Sequence, residues 1–116
     1  MKFSALVAIV PEELEQECLD EANHSGGGGV TLLSGRGLGG EPKKTFFGLT
    51  FEGSQTVLLM VLEKGLSLSV LKALQKVLNH DGESSRGVVF TLPIEHLGGL
   101  DVSQLERFEQ HLRDTL

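Results

Sequence analysis

Thr56-Val57-Leu58-Leu59-Met60-Val61-Leu62 is the most apolar run in a chain of 116 residues. It is rich enough in strand formers to be the central strand of a sheet, and it anchors the reading of everything around it. Near the start, Phe3 to Val10 is almost unbroken apolar and ends at Pro11. That pattern predicts a strand buried on both faces, with the proline at the first position of a helix. The helix continues over Glu12 to Ala22, with Leu14, Cys18, Leu19 and Ala22 on one stripe. Glu12, Glu13, Glu15 and Glu17 crowd its first turns, where the helix dipole favours anions, and read as a solvated, well-capped face.

Asn23 to Gly29 ends that helix, since glycine supplies the left-handed dihedrals of a helix exit. Val30 to Ser34 is a second short strand, and Gly35-Arg36-Gly37-Leu38-Gly39-Gly40 stops it. Thr45 to Phe51 alternates imperfectly and reads as extended. Beyond the central strand, Ser67 or Ser69 caps a helix in which Val70, Leu71, Leu74, Val77 and Leu78 recur at helical spacing. Asn79 to Gly82 breaks it, Glu83 to Arg86 is a polar loop, and Gly87 to Leu92 is a last strand that must stop near Pro93. After Gly98-Gly99, Asp101 with Gln104 or Ser103 with Glu106 forms a capping box. Leu105, Phe108, Leu112 and Leu116 then give a third helix a narrow apolar stripe.

The expected fold class is therefore α+β, a ferredoxin-like βαββαβ sandwich over residues 1–100 with an extra C-terminal helix over 101–116. Both sandwich helices lie on one face of the sheet. Yet the two most apolar strands carry hydrophobic side chains on the other face as well, so the expectation is self-association into a closed dimer or trimer.

Composition excludes several function classes. Sixteen acidic against ten basic residues give a formal charge of −6, which offers no general attraction to phosphate backbones or anionic lipid. Trp and Tyr are absent and Phe numbers six, which leaves little with which to stack exposed bases. Cys18 is the only cysteine, so no intrachain disulfide, paired-cysteine zinc site or dithiol motif can form, and it reads as a small core residue. The apolar runs are far short of the ~20 residues that span a bilayer, and no cleavable signal pattern follows Met1, so a cytoplasmic protein is expected.

Gly35-x-Gly37-x-x-Gly40 matches a dinucleotide fingerprint, but Glu41-Pro42-Lys43-Lys44 follows in place of the helix such a site needs. What remains is a glycine-rich strand exit carrying Arg36, whose backbone N–H groups suit an anion-binding nest. No Ser-His-Asp set is placed by a motif. His24, His80, His96 and His111 lack zinc-site spacing. Arg86 stands directly before a buried strand, as either an anion ligand or a structural salt bridge.

These residues resemble those of the PII nitrogen-regulatory signalling proteins, specifically the divergent PII-like members, over roughly Phe3 to Leu100. Gly29-Val30-Thr31 leading to Arg36-Gly37-Leu38-Gly39 is similar to the family's Gly-x-Thr strand start and the Gly-aromatic-Gly that opens its long T-loop, with Leu38 in place of the aromatic. Arg86 falls where the family has a phosphate-contacting Lys. The resemblance implies a homotrimer with clefts between subunits for an adenine nucleotide: ADP, AMP or ATP. The implied ligand-binding residues are Gly29, Val30, Thr31, Arg36, Gly37, Leu38, Gly39, Gly40, Glu83, Ser84, Ser85 and Arg86. It also implies a T-loop over residues 38–55, in which Lys43, Lys44, Phe46, Phe47 and Phe51 would meet a regulated enzyme or membrane transporter in nitrogen or inorganic-carbon metabolism.

The chain departs from the family in three ways. With no Tyr, T-loop uridylylation is chemically excluded. Glu41 falls near the Gln that helps bind Mg-ATP and 2-oxoglutarate, and a carboxylate there repels an oxo-acid. His96-Leu97-Gly98-Gly99-Leu100 replaces the stretch carrying two arginines, which removes charge-assisted bonds to a triphosphate and leaves three expectations: an adenine nucleotide with fewer phosphates, another small anionic effector, or a nucleotide site that has been lost. The expected function is a non-enzymatic sensor with no required cofactor and no metal. The alternatives are a CutA-like trimeric metal-binding protein and a small acylphosphatase-like enzyme. The latter needs an Arg after the first strand, where this chain has Pro11-Glu12-Glu13.

Overall fold

The computed structural model describes residues 2–37, 45–46, 49–50, 54–79, 86–99 and 110. The elements run β1 (Phe3–Pro11), a single 3-10 turn (Glu12–Leu14), α1 (Glu15–His24), β2 (Thr31–Arg36), β3 (Thr45–Phe46), β4 (Leu49–Thr50), β5 (Ser54–Glu63), α2 (Lys64–Leu78) and β6 (Val88–Pro93). β2, β5, β1 and β6 form one antiparallel sheet in that order, and β3 and β4 make a separate two-residue ladder. Each helix thus links two strands that flank a third, the split βαβ arrangement expected of a ferredoxin-like sandwich.

β1 and β5 are paired along their length, from Phe3 opposite Glu63 to Pro11 opposite Gln55. Side chains alternate across a strand, so this register places Ser4, Leu6, Ala8 and Val10 on the same face as Thr56, Leu58, Met60 and Leu62. All eight are buried under the helices, which contribute Leu14, Cys18, Ala22, Leu66, Val70, Leu74 and Leu78. Full burial of each Leu or Val stabilises the fold by roughly 1.5–3 kcal/mol. Among the described residues no helix is long and apolar enough to cross a membrane.

Several boundaries differ from the sequence expectation. Pro11 is the last residue of β1, and a 3-10 turn intervenes before α1 begins at Glu15. Neither Ser67 nor Ser69 caps α2. The helix starts at Lys64, directly after β5, and its N-cap is Glu63, whose carboxylate accepts from the Leu66 N–H at 2.9 Å. Ser67 sits in the first turn and donates back to the Lys64 carbonyl at 2.7 Å, so its hydroxyl is satisfied inside the helix. β2 starts one residue after Val30 and runs on to Arg36, because pairing with β5 outlasts the apolar segment. Phe3, Ala5, Val7 and Ile9 are only half-buried, since among the described residues no helix covers that face. The C-terminal helix expected over 101–116 lies outside the described residues, Gln110 apart.

Gly26 leaves α1 with a φ of 108°, the left-handed exit that glycine allows. Gly87 is needed for a different reason. A Cβ there would stand 2.7 Å from the Ile9 carbonyl oxygen and 2.9 Å from Leu78 Cδ2, so the loop before β6 fits against β1 and α2 only without a side chain.

Gly87→Ala is therefore expected to lower the unfolding free energy by about 1–3 kcal/mol, whereas Gly28→Ala, where a Cβ meets nothing within 4 Å, changes it little; urea titration of both variants checks this. Burial, helped by the neighbouring Glu17 carboxylate, pushes the Cys18 thiol from 9.0 up to about 11. The folded state then holds a proton that the unfolded state releases between those values, so the Cys18 contribution is complete below about pH 9 and fades as pH rises towards 11. The difference in urea midpoint between the parent and Cys18→Ala should shrink over that interval.

Candidate functional site

The end of the sheet where β1 stops holds both arginines that sequence singled out. Arg36 is the last residue of β2 and lies opposite Ser54, with Gly37 directly after it. Alternation along β2 puts Ser34 and Arg36 on the helix-bearing face, in line with Thr56. There a cavity of about 350 Å³ is lined by Glu12, Glu15, Ser34, Arg36, Gln55 and Thr56, among others. The buried Thr56 hydroxyl donates to Glu15 Oε1 at 2.9 Å, which fixes that carboxylate over the strand end. Among the described residues Arg36 has no carboxylate within ion-pair distance.

Arg86 stands at the same end but on the far side of the sheet. β2 and β6 are its two edges, so the strands carrying the two arginines are separated by three interstrand spacings, about 14 Å. The Arg86 backbone N–H donates to the Leu78 carbonyl at 3.1 Å, and its Nη2 pairs with Glu13 Oε1 at 2.8 Å. Of the two readings left open by sequence, the salt bridge is the one formed here.

Gly29, Val30 and Thr31 lie at the other end of β2 from Arg36, Thr31 being opposite Leu59. Five residues of extended chain separate Thr31 from Arg36, roughly 17 Å, so one protomer does not bring the two groups into a common pocket. Val30 packs against the core, whereas Gly29 and Thr31 are exposed. Leu38, Gly39, Gly40, Glu83, Ser84 and Ser85 lie outside the described residues, as do Lys43, Lys44, Phe47 and Phe51. Phe46 is described only as backbone, paired with Leu49 in the β3–β4 hairpin. A larger cavity, about 650 Å³, opens at the opposite end of the sheet between Lys2, Lys64, Glu95, Leu97 and Gly98. Among the described residues no three His, Cys, Asp or Glu side chains converge as metal ligands would.

Sequence reading missed the acid run as part of this site. Glu12 lines the small cavity, Glu13 holds Arg86 and Glu15 holds Thr56. The available signal was topological: in a split βαβ unit the start of the first helix must sit over the end of the central strand pair.

No family model matches the sequence, and no curated protein matches it. Solved structures do resemble it. CPII from Thiomonas intermedia K12, a nitrogen regulatory PII-like protein bound to ADP, AMP and bicarbonate, superposes with a TM-score of 0.59 at 18% identity, covering 86% of this chain and 98% of that one. The ATP complex of B. subtilis GlnK gives 0.61 at 16% identity, over 81% and 84% of the two chains. The fold is the PII-like fold. A DUF3240 family protein from Shewanella baltica OS155 shares it, with a TM-score of 0.63 at 17% identity over 87% and 99%. At these identities the likeness is one of architecture. The connection between β2 and β5 leaves the sheet beside Arg36.

The Arg86–Glu13 pair is exposed on both sides, 44% and 70%, so solvent screens it and its net contribution is below about 1 kcal/mol. Glu13→Gln should accordingly leave the urea midpoint nearly unchanged at low salt.

Proposed function

We propose that this chain is a non-enzymatic PII-like signalling protein. It assembles as a homotrimer through the sheet face opposite α1 and α2, and it takes an adenine nucleotide of one or two phosphates at the seams. The observation that carries this reading is the composition of that face. Leu33, Leu59, Val61, Phe90 and Leu92 stand there between 36% and 52% exposed, around Ala5, Val7 and Ile9. The cross-strand row Leu59, Val7 and Phe90 runs over the three strands β5, β1 and β6, and a continuous apolar face of this kind marks an interaction surface.

Association also supplies what one protomer lacks. The Gly29–Thr31 end of one β2 and the Arg36–Gly37 or Arg86 end of another can meet only across a subunit boundary. A Cβ at Gly28 or Gly29 would touch nothing in the protomer, so the open space there is available to a ligand or neighbour. Arg86 is the residue we assign to phosphate, because Arg36 shares its cavity with two carboxylates. An incoming anion would take the place of Glu13 on the guanidinium. Support for the ligand class comes from the fold likeness to proteins bound to ATP or to ADP, AMP and bicarbonate. Occupancy would be passed to a protein partner, an enzyme or membrane transporter, by the segment over 38–55 with Lys43, Lys44, Phe46, Phe47 and Phe51.

Light scattering of the purified protein should report three protomers, and Leu59→Lys should reduce them to one; a parent protein that stays monomeric overturns the reading. ADP or AMP in excess should raise the melting temperature by mass action. Arg86→Ala should abolish that rise with the trimer intact, and Glu13→Gln should lower the ADP dissociation constant several-fold.

A further inference from the structure

We propose that the cavity between the 3-10 turn, α1 and the ends of β2 and β5 binds a small zwitterion of the α-amino acid class, within a single protomer. The inference goes beyond the nucleotide reading and requires no subunit contact. Its basis is that opposite charges line one cavity without pairing to each other among the described residues. Arg36 faces the cavity from the edge strand, and Glu12 and Glu15 face it from the 3-10 turn and the start of α1. Opposite charges line one space of about 350 Å³, yet Arg36 forms no ion pair across it among the described residues.

A molecule carrying both signs bridges such a gap. Its carboxylate would lie on the Arg36 guanidinium, whose planar donors match two carboxylate oxygens. Its ammonium group would lie between Glu12 and Glu15. The second charge is what distinguishes this ligand from a plain anion: a phosphate or dicarboxylate entering the same space meets two carboxylates along with the single guanidinium.

Two lining residues are anchored, one through its backbone and one through its side chain. Arg36 is paired into the ladder opposite Ser54, and Glu15 is tied through Oε1 to the buried Thr56 hydroxyl, which leaves its second oxygen able to accept from an ammonium. The Ser34 hydroxyl, beside Arg36 on the same face of β2, adds a donor and an acceptor at the cavity wall. The volume is at the low end for ligand pockets, which suits a molecule with few heavy atoms.

The test is calorimetry and thermal shift on the full chain with glycine, L-alanine, L-serine and L-asparagine at millimolar concentration, set against propionate and ethylamine. At least one amino acid should bind and raise the melting temperature, and neither half-charged compound should do so. Arg36→Gln should remove the response. So should Glu12→Gln combined with Glu15→Gln, a pair that keeps an acceptor for Thr56 and whose unliganded melting temperature should match the parent. Three results overturn the proposal: no amino acid binds, propionate alone reproduces the effect, or the double glutamine variant responds like the parent. Arg86→Ala should leave the amino acid response unchanged. Loss of nucleotide binding and loss of amino acid binding are therefore separable outcomes.

Discussion

The nine-residue register between β1 and β5 is the constraint on which the rest of the molecule depends. Because side chains alternate, fixing Phe3 opposite Glu63 assigns every apolar residue of both strands to one face or the other. One face becomes the core with the two helices. The second face receives Ala5, Val7, Ile9, Val57, Leu59 and Val61, and among the described residues no helix lies over them. A slip of one residue would exchange these two sets. The exchange would also move the buried Ser4 and Thr56 hydroxyls off the helix face, and Thr56 would lose its bond to Glu15. The register therefore determines the core, the unpartnered surface and the position of the charged cavity together.

Much of this was legible in the residues. The apolar runs at Phe3–Val10 and Thr56–Leu62 located the central strands, and the spacing of Val70, Leu74 and Leu78 located α2 with its buried stripe. Cys18 was readable as a core residue and is fully buried. The start of α2 was not readable, because serine is the stronger capping signal in a list of propensities. Here Glu63 already occupies the end of the strand and can reach the Leu66 N–H. Pairing partners are invisible to local pattern, and for that reason the extension of β2 to Arg36 escaped a reading based on glycine content.

The candidate site shows a similar division. Arg36 and Arg86 were identifiable because isolated arginines at strand ends stand out in an acidic chain. Their surroundings were not, since Glu12, Glu13 and Glu15 make the same sequence pattern as any solvated helix face. Only the folding of the split βαβ unit brings that acid run to the end of β5, where Glu13 reaches Arg86 and Glu15 reaches Thr56. Charges separated by 73 positions in sequence become a contact at 2.8 Å.

β5 passes into α2 without an intervening loop: Glu63 ends the strand, Lys64 begins the helix, and the Lys64 N–H is bound to the Lys2 carbonyl at 2.9 Å. An added or deleted codon anywhere from Ser54 to Leu78 would have no slack to absorb it, and would invert a strand face or rotate a helix stripe away from the core. Tolerance to length change must then reside elsewhere, above all in the connection between β2 and β5. Descendants of this gene can vary in length along that connection while the stretch from Ser54 to Leu78 stays locked.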